Sequence, residues 1–515
     1  TPLYSSAASD VYKRQGKATG PDGLANETIK WAPTHLHTLT FTLYQLLWQI
    51  GYTPPHWMDN ITTLLYKKGD YTDLSNYRPI ALANTIGKLW TGLIDRAVKL
   101  FIDRHNIISS TQEGFRTGKN CHRQLRTLTT TIEDAQFHHR NIYILYIDLV
   151  SAFNTVNHSR LNLILQHLGL PTDIRTVIST LYTGATTRIK TPYGLTEPIP
   201  IQRGTLQGDS LSPTLFLLYI EPLLRWLHQG GHGYHYGALT PGENAQHHLS
   251  SAAFADDLGL LTNTLTLLQH QAHKVSLYCD WAGLEVNAKK CAATCGLFQL
   301  WHAEGITDYK KVHDHRPQTQ LAQLQLQHKS IPFLPHTESY NYLGIPLNLA
   351  LDWTPAFTSL VKKIQHKGRL LLQNQQLTAT ERHRILQETI VPMADYMLTL
   401  TLFTPAQIDL LQGHMARIIK LSHGLPNYFP TYATLDTHKE GGLGTGSLFH
   451  RCIKNTIRDL TQALNDTGRL GIVSRALGEQ QYHHWKAHPR LGTPTLGPLG
   501  PVSYTHLTLP TNREV

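Results

Sequence analysis

Residues 141–153, NIYILYIDLVSAF, and residues 252–262, AAFADDLGLLT, decide the fold of this chain. Both contain apolar, β-rich runs, which predict buried strands. Asp148 ends the first strand, and Asp256 and Asp257 stand at the turn of a strand–turn–strand unit in the second stretch. Carboxylates beside apolar strands are costly unless they are paired or bound to a metal. If the two elements are neighbours in one sheet, the three acids converge.

Convergent carboxylates suit Mg²⁺, a hard cation that prefers oxygen ligands. Two such ions, ~3.5–4 Å apart, suit in-line displacement at phosphorus. The alternative is a plain turn, because Asp favours turns for local reasons. Asp256 and Asp257 alone would favour that alternative, so the metal hypothesis depends on their combination with Asp148.

On either side of these stretches, the hydrophobic pattern predicts irregularly interleaved strands and helices to about residue 350 and mainly helices over 351–480. This arrangement is an α+β fold class. Upstream, residues 57–68 read as a strand and 76–105 as a turn followed by an amphipathic helix. The remaining predicted elements are a hairpin at 187–201, a helix starting at Ser212-Pro213, a helix over about 264–282, a Gln-rich insertion or linker at 303–332, and helices starting at Thr354-Pro355 and Thr404-Pro405.

Composition narrows the function classes. The chain has 515 residues, 41% of them hydrophobic, and a formal net charge of +10. A basic excess on a globular chain is compatible with a polyanionic partner, although a merely basic enzyme fits equally well. Five Cys in so long a chain exclude a disulfide scaffold and suit a reducing, intracellular compartment. No signal peptide is recognisable and no stretch approaches ~18 apolar residues, so we expect neither secretion nor a membrane partner.

The two ends share no pattern with their neighbours. Residues 1–15 (TPLYSSAASDVYKRQ) and 501–515 (PVSYTHLTLPTNREV) resemble translated sequencing-adapter sequence. We therefore predict a tail at 1–15, a loop with a second tail at 481–515, and a natural chain of about 16–500 that is a truncated portion of something longer. The alternative is a pair of natural disordered tails.

Five segments resemble, in order, the palm motifs of the reverse transcriptase of non-LTR (LINE-type) retrotransposons. They are YIDLVSAF (146–153), GTLQGDSLSP (204–213), FADD (254–257), GLEVNAKKC (283–291) and YLGI (342–345). By this resemblance the metal-binding acids are Asp148, Asp256 and Asp257, and Lys290 protonates pyrophosphate. The resemblance also assigns nucleotide and template contacts to Phe153, Gln207 and Gly208, and a primer grip to Tyr342, Leu343 and Gly344.

Upstream segments resemble the N-terminal extension and fingers of the same family. They are GPDG (20–23), LYKKGD (65–70), NYRPIAL (76–82) and EGFRTGKNC (113–121). The resemblance implies that Lys67 and Arg78 contact the triphosphate and that Arg116 is a further basic substrate-binding residue. Lys and Arg offer charge-assisted hydrogen bonds to phosphate oxygens, although any one of them is more commonly a solvated surface charge.

The resemblance implies a right-hand polymerase with an antiparallel palm sheet. Expected boundaries are 16–140 for the N-terminal extension and fingers, 141–350 for the palm with remaining finger elements, and 351–480 for the helical thumb and the helices after it. The implied activity is RNA-directed DNA polymerisation by two-metal nucleotidyl transfer from dNTP to a primer 3′-hydroxyl. Implied cofactors and partners are two Mg²⁺ ions, for which Mn²⁺ can substitute, an RNA template, a DNA primer or target, and dNTPs. Target priming and a nuclear location follow from the resemblance alone.

Two alternatives remain open at this point. One is a nucleic-acid-binding fragment of such an element that keeps the fold without useful catalysis. The other is an RNA polymerase with the same palm. Phe153 disfavours the latter, because a flat aromatic would crowd the ribose 2′-hydroxyl that distinguishes RNA from DNA. No endonuclease domain is recognisable, and Cys291 and Cys295 lack a second Cys/His pair with zinc spacing.

Overall fold

The structure is a computed structural model and describes residues 16, 18–67, 69–206, 208–236, 248–321, 324–436 and 442–475. The expected tails at 1–15 and 481–515 lie outside the described residues, as does Gln207.

The described helices alternate with strands until about residue 350 and then follow one another. They are α1 Asn26–Lys30, α2 Thr34–Ile50, α3 Thr85–His105, α4 Cys121–Phe137, α5 His158–His167, α6 Thr172–Leu181, α7 Leu211–His228, α8 Leu265–Ala282, α9 Phe298–Ala303, α10 Arg316–Leu321, α11 Thr354–Gln373, α12 Ala379–Ile385, α13 Val391–Leu398, α14 Pro405–Ser422, α15 Thr431–Leu435 and α16 Leu448–Leu464, with a π-helical turn at Leu386–Ile390.

The strands are short and concentrated before residue 350. They are β1 Asn60–Tyr66, β2 Tyr77–Ala83, β3 Ile142–Ile147, β4 Thr186–Thr191, β5 Gly194–Leu195, β6 Ile199–Pro200, β7 Tyr234–His235, β8 His248–Leu249, β9 Ser251–Phe254, β10 Asp257–Thr262, β11 Ala292–Gly296, β12 Gln325–Leu326, β13 Lys329–Ser330, β14 Tyr340–Tyr342 and β15 Ile345–Leu347.

The central sheet has the strand order β11-β3-β10-β9, with every pair antiparallel. All six residues of β3 are buried, because this strand has a partner on each side and helices α4, α7 and α8 pack on the sheet. A continuous apolar run is what such a position requires. The predicted strands at both acidic motifs are therefore confirmed, and the two elements are neighbours.

A second sheet has the strand order β2-β1-β4-β5, with β6 paired to β4. The prediction of a turn at the start of 76–105 is wrong there, because Tyr77–Ala83 forms a strand paired residue by residue with β1. Pro79 lies within this strand, which is possible because β2 is the last strand of its sheet and an edge position tolerates a missing N–H. The helix that follows is confirmed as α3.

Two further expectations are corrected. The Gln-rich stretch 303–332 is not a loose linker: it contributes buried side chains to the main core, among them Tyr309, Val312, Leu321, Leu324, Leu326 and Ile331. These apolar residues are spaced too irregularly to reveal a periodic element. The helix predicted to start at Ser212 begins at Leu211 instead, and Asp209 Oδ2 accepts the Leu211 N–H (3.3 Å).

From Thr354 onward the described chain is helical, with its own apolar cluster of buried residues on α11, α13, α14 and α16. Thr404 caps α14 through a reciprocal capping box with Gln407, as Thr-Pro at this point predicts. The α+β fold class is confirmed. None of the described helices is long and apolar enough to cross a membrane.

Candidate active site

The three acids meet where β3 and β10 pair. Asp257 is the first residue of β10, and the pairing of Leu258 with Ile147 places Asp257 opposite Asp148, one residue past the end of β3. Asp256 lies in the tight turn between β9 and β10, where Asp257 pairs with Phe254. The convergence expected from sequence thus follows directly from antiparallel register.

Burial and repulsion between the carboxylates raise the pKa of two of these three groups. Burial raises the pKa of Asp257 to about 6, and repulsion from the Asp256 and Asp148 carboxylates adds to the rise, while Lys290 opposes it. Burial also raises the pKa of Asp256, with Asp148 adding and with Arg78 and Lys290 opposing. The site therefore holds excess negative charge that a nearby cation would stabilise.

Lys290 faces the first acid. Its Nζ lies 3.6 Å from Asp148 Oδ2, and its side chain is 69% exposed. The loop that carries it is fixed to the end of β3, since the Asn287 N–H donates to the Asp148 carbonyl (2.9 Å) and the Tyr340 hydroxyl donates to the Lys290 carbonyl (2.9 Å). The backbone is anchored while the ammonium group stays accessible, which suits proton donation to a bound ligand.

Phe153 lies on a 3₁₀ turn, Ala152–Thr155, immediately after the first acidic motif. Its ring packs on Phe216 (centroids 4.6 Å apart) and meets Phe115 edge-on at 6.3 Å. The position is rigid, because the Phe153 carbonyl also accepts the Thr205 N–H (2.8 Å). A fixed aromatic ring that follows Asp148 by five residues can act as a steric limit on a sugar.

Gly208 brings the loop before α7 against the second sheet. Its φ is +121°, and a Cβ there would stand 2.9 Å from the Ala81 carbonyl oxygen on β2. Only glycine fits both constraints. Beside this contact a cleft of about 370 Å³ opens between the second sheet and the loop, lined by residues that include Asn60, Asn154 and Arg203.

Lys67 and Arg78 project from the β1–β2 hairpin. Leu65 pairs with Arg78, and since side chains alternate along a strand, Lys67, two residues beyond Leu65, shares a face with Arg78. Both side chains are exposed, and Arg78 is near enough to Asp256 to favour its ionised form. The two sheets therefore bring cations and acids towards one another.

Two groups of predicted site residues have structural partners. Arg116 Nη1 donates to the carbonyls of Ser109 and Gln112 (3.0 Å each), so it holds its own loop. Tyr342 is 2% exposed and donates to the Ala252 carbonyl (3.0 Å). Leu343 and Gly344 form the two-residue turn of the β14–β15 hairpin, both with positive φ. Gly344 is exposed and Leu343 is half-buried against the main core, whereas the Tyr342 ring is buried.

Sequence reasoning missed Gln112, whose side chain bonds the backbone beside Asp256. A buried carboxamide leaves no periodic or motif signal, so only the neighbouring Gly-Phe-Arg stretch pointed to this loop.

No group of three or more His, Cys, Asp or Glu side chains within the described ranges has the arrangement of a formed metal site. The chemistry of the donor set nevertheless fits a hard divalent cation. Asp148, which directly follows β3, Asp256 in the β9–β10 turn and Asp257 at the start of β10 supply carboxylate oxygen ligands. Burial and repulsion between the carboxylates raise the pKa of Asp256 and of Asp257, so a bound cation would favour their ionised forms.

The family model described as reverse transcriptase (RNA-dependent DNA polymerase) matches residues 66–347. That range contains the three acids at the central sheet and the basic residues Lys67 and Arg78 at the second sheet. It ends at the last residue of β15, before the helical unit begins.

Curated relatives match over most of this chain. A Pol polyprotein of the type-1 retrotransposable element R2 from Nasonia vitripennis is 25% identical over 90% of this chain and 42% of its own length. The R2 polyprotein from Popillia japonica is 26% identical over 88% and 59%. The RNA-directed DNA polymerase from mobile element jockey of Drosophila melanogaster is 22% identical over 81% and 43%. The chain thus spans about half the length of these relatives.

Proposed function

Because the chain belongs to the reverse transcriptase (RNA-dependent DNA polymerase) family, we propose that it extends a primer 3′-hydroxyl with dNTPs on an RNA template. The observation that carries this proposal is the register of β10 on β3, which places Asp257 opposite Asp148 and next to Asp256, with Arg78 acting on the same cluster. Acids that bind cations and cations that bind phosphates are the parts that phosphoryl transfer needs.

Asp148, Asp256 and Asp257 are the residues that would hold divalent metal, and we propose two Mg²⁺ ions, replaceable by Mn²⁺. When bound, these ions would lower the pKa of the primer 3′-hydroxyl and neutralise charge on the departing pyrophosphate. The aspartates orient the reacting groups because they are fixed at the end of β3, in the β9–β10 turn and at the start of β10. Lys67 and Arg78 bind triphosphate oxygens through charge-assisted hydrogen bonds, and Lys290 Nζ holds the proton that pyrophosphate takes up.

Phe153 is proposed to select deoxyribose. Its ring is held by Phe216 and by the hydrogen bond that its carbonyl accepts, so it cannot withdraw easily from a 2′-hydroxyl. Gly208 and Gln207 are proposed to place the template base and incoming nucleotide, and the turn Leu343-Gly344, supported by Tyr342, to contact the primer. Arg116 acts by shaping the loop that carries Phe115.

The R2 and jockey relatives favour a retrotransposon role. From the family resemblance of the motifs, we propose further that the enzyme copies element RNA from a nicked DNA target in the nucleus. On this proposal, residues 16–140 supply the N-terminal extension and fingers, 141–350 the palm, and 351–480 the thumb and the helices after it. A net charge of +10 suits both nucleic-acid partners.

Primer extension by the full chain on an RNA template, with Mg²⁺ and dNTPs, tests the proposal. We expect extension by the native protein, none by the Asp256→Asn/Asp257→Asn double variant, and native extension by Asp103→Asn, an exposed acid on α3. Template binding without extension in any of the three proteins would favour the binding-fragment alternative. Efficient rNTP incorporation would favour the RNA polymerase.

A further inference from the structure

The turn that carries Asp256 has an unusual backbone. Ala255 has a φ of +56° and is buried at 5% exposure. A left-handed conformation is unfavourable for a residue with a Cβ, so surrounding contacts must hold it. Since Asp256 follows Ala255 directly, the Ala255 dihedrals set the direction of the Asp256 side chain.

The Gln112 carboxamide supplies those contacts. Its Oε1 accepts the Ala255 N–H (2.8 Å) and its Nε2 donates to the Ala255 carbonyl (3.2 Å). The same Oε1 accepts the Gly114 N–H (2.9 Å), and Gln112 is 0% exposed. One side chain therefore bonds both backbone polar groups of the left-handed residue.

The segment that carries Gln112 is itself paired with the central sheet. The Glu113 N–H donates to the Ala253 carbonyl (2.9 Å), and the Ala253 N–H donates to the Thr111 carbonyl (3.0 Å), so the Gln112 segment pairs with β9. A Cβ on Gly114 would stand 2.4 Å from the Ala255 nitrogen. The loop lies too close to the turn for any other residue there.

The loop is also braced from outside. The Glu113 carboxylate pairs with Arg123 Nε (3.0 Å) and Lys119 Nζ (3.3 Å), and Arg123 Nη2 pairs with Asp466 (2.6 Å). These ion pairs hold the backbone next to Gln112, while the carboxamide's own bonds to Ala255 and Gly114 determine its orientation.

We propose that Gln112 is a positioning residue that fixes the left-handed Ala255 and thereby aims the Asp256 carboxylate at the site shared with Asp148. This inference rests on the proposed polymerase function. It assigns Gln112 no contact with substrate or metal. If it is correct, altering the carboxamide lowers the rate of nucleotidyl transfer, which depends on the position of Asp256, more than it weakens nucleotide binding.

Steady-state primer extension by the full chain, with titrations of Mg²⁺ and dNTP, tests this inference. Gln112→Glu keeps acceptor oxygens and loses the donor to Ala255, whereas Gln112→Leu loses both. We expect about tenfold lower kcat for Gln112→Glu and a larger loss for Gln112→Leu. Both should need severalfold more Mg²⁺ for half-maximal rate, with the KM for dNTP within about twofold of native.

The matched control is Gln271→Leu. Gln271 is also 0% exposed and donates to a backbone carbonyl, that of His232, outside the acidic site. We expect it to lower thermal stability while leaving the Mg²⁺ requirement unchanged. Circular dichroism and RNA binding verify folding of each variant, and Gln112→Glu serves if Gln112→Leu does not fold.

A native Mg²⁺ requirement in folded Gln112→Glu, or the same shift in Gln271→Leu, overturns the inference while the native enzyme still extends primers. Failure of the native chain to extend overturns the proposed function instead. The two failures are therefore distinguishable.

Discussion

The two hairpins that supply the site are built in opposite ways. The β9–β10 hairpin lies in the central sheet with buried neighbours on both strands, and Gln112 bonds its turn. The β1–β2 hairpin carries Lys67 and Arg78 on a largely exposed end, where Leu65 and Tyr66 are 53% and 52% exposed. Carboxylates that repel one another need a rigid scaffold, whereas cations that bind a diffusing phosphate must stay accessible to it.

Asp148→Asn should have the largest effect, because it removes one of the three carboxylate charges at the central sheet. We expect kcat to fall about 10³-fold, on the scale of several kcal/mol for lost metal-ion stabilisation. Single-turnover primer extension with Mg²⁺ measures it, and a melting curve checks the fold. A loss below about tenfold would mean that Asp148 does not take part in the chemistry.

Arg78→Gln should have an intermediate effect confined to nucleotide binding. Losing one charge-assisted bond predicts about a tenfold rise in the KM for dNTP with a smaller change in kcat. Arg188→Gln, an exposed Arg on β4 of the same sheet, is the matched control and should behave as native. Equal effects of the two substitutions would refute a specific role for the β1–β2 hairpin.

Phe153→Ala should weaken sugar selection. Removing the ring opens space for a 2′-hydroxyl, and we expect the ratio of kcat/KM for dNTP to that for rNTP to fall about tenfold. Competitive incorporation of matched dNTP and rNTP pairs measures this ratio. An unchanged ratio would show that another group discriminates the sugar.

Asp257 on the β9–β10 hairpin should also make the stability of the chain depend on pH. The pKa of Asp257 is raised from 3.8 to about 6 in the folded chain. Between these values the folded chain keeps a proton that the unfolded chain has released, so this group's contribution to stability is lost as pH rises.

Asp257→Asn removes that contribution. The free energy of unfolding of the variant should therefore increase relative to that of the native protein as the pH rises from about 4.5 to about 6.5. Urea unfolding in EDTA at both pH values measures the difference. A difference that is independent of pH would show that the Asp257 carboxyl is not perturbed by its surroundings.

The smallest effect is expected from a substitution in the helical unit, at the start of α14. Thr404→Ala removes the capping box of α14 and should lower the free energy of unfolding by about 1 kcal/mol. Thr404→Ser keeps the hydroxyl and should restore most of it. If kcat changes as well, the helical unit influences the site more directly than its separate apolar cluster indicates.

The sequence predicted much of this arrangement. Uninterrupted apolar runs predicted the strands that carry Asp148 and Asp257, and Thr-Pro pairs predicted the starts of α11 and α14. The prediction was wrong at Tyr77–Ala83, where the sequence indicated a turn but pairing with β1 makes a strand. It failed again over 303–332, where scattered apolar residues without period are buried by distant partners.

Residue type and local order were enough to show which residues carry charge, which runs must be buried, and to which family the chain belongs. The three-dimensional fold was needed to show that Asp257 lies opposite Asp148, that the Tyr342 ring is buried, that Arg116 holds its own loop, and that Gln112 bonds the Ala255 backbone. Each of these depends on long-range register and close approach between segments far apart in the chain, which no local pattern records.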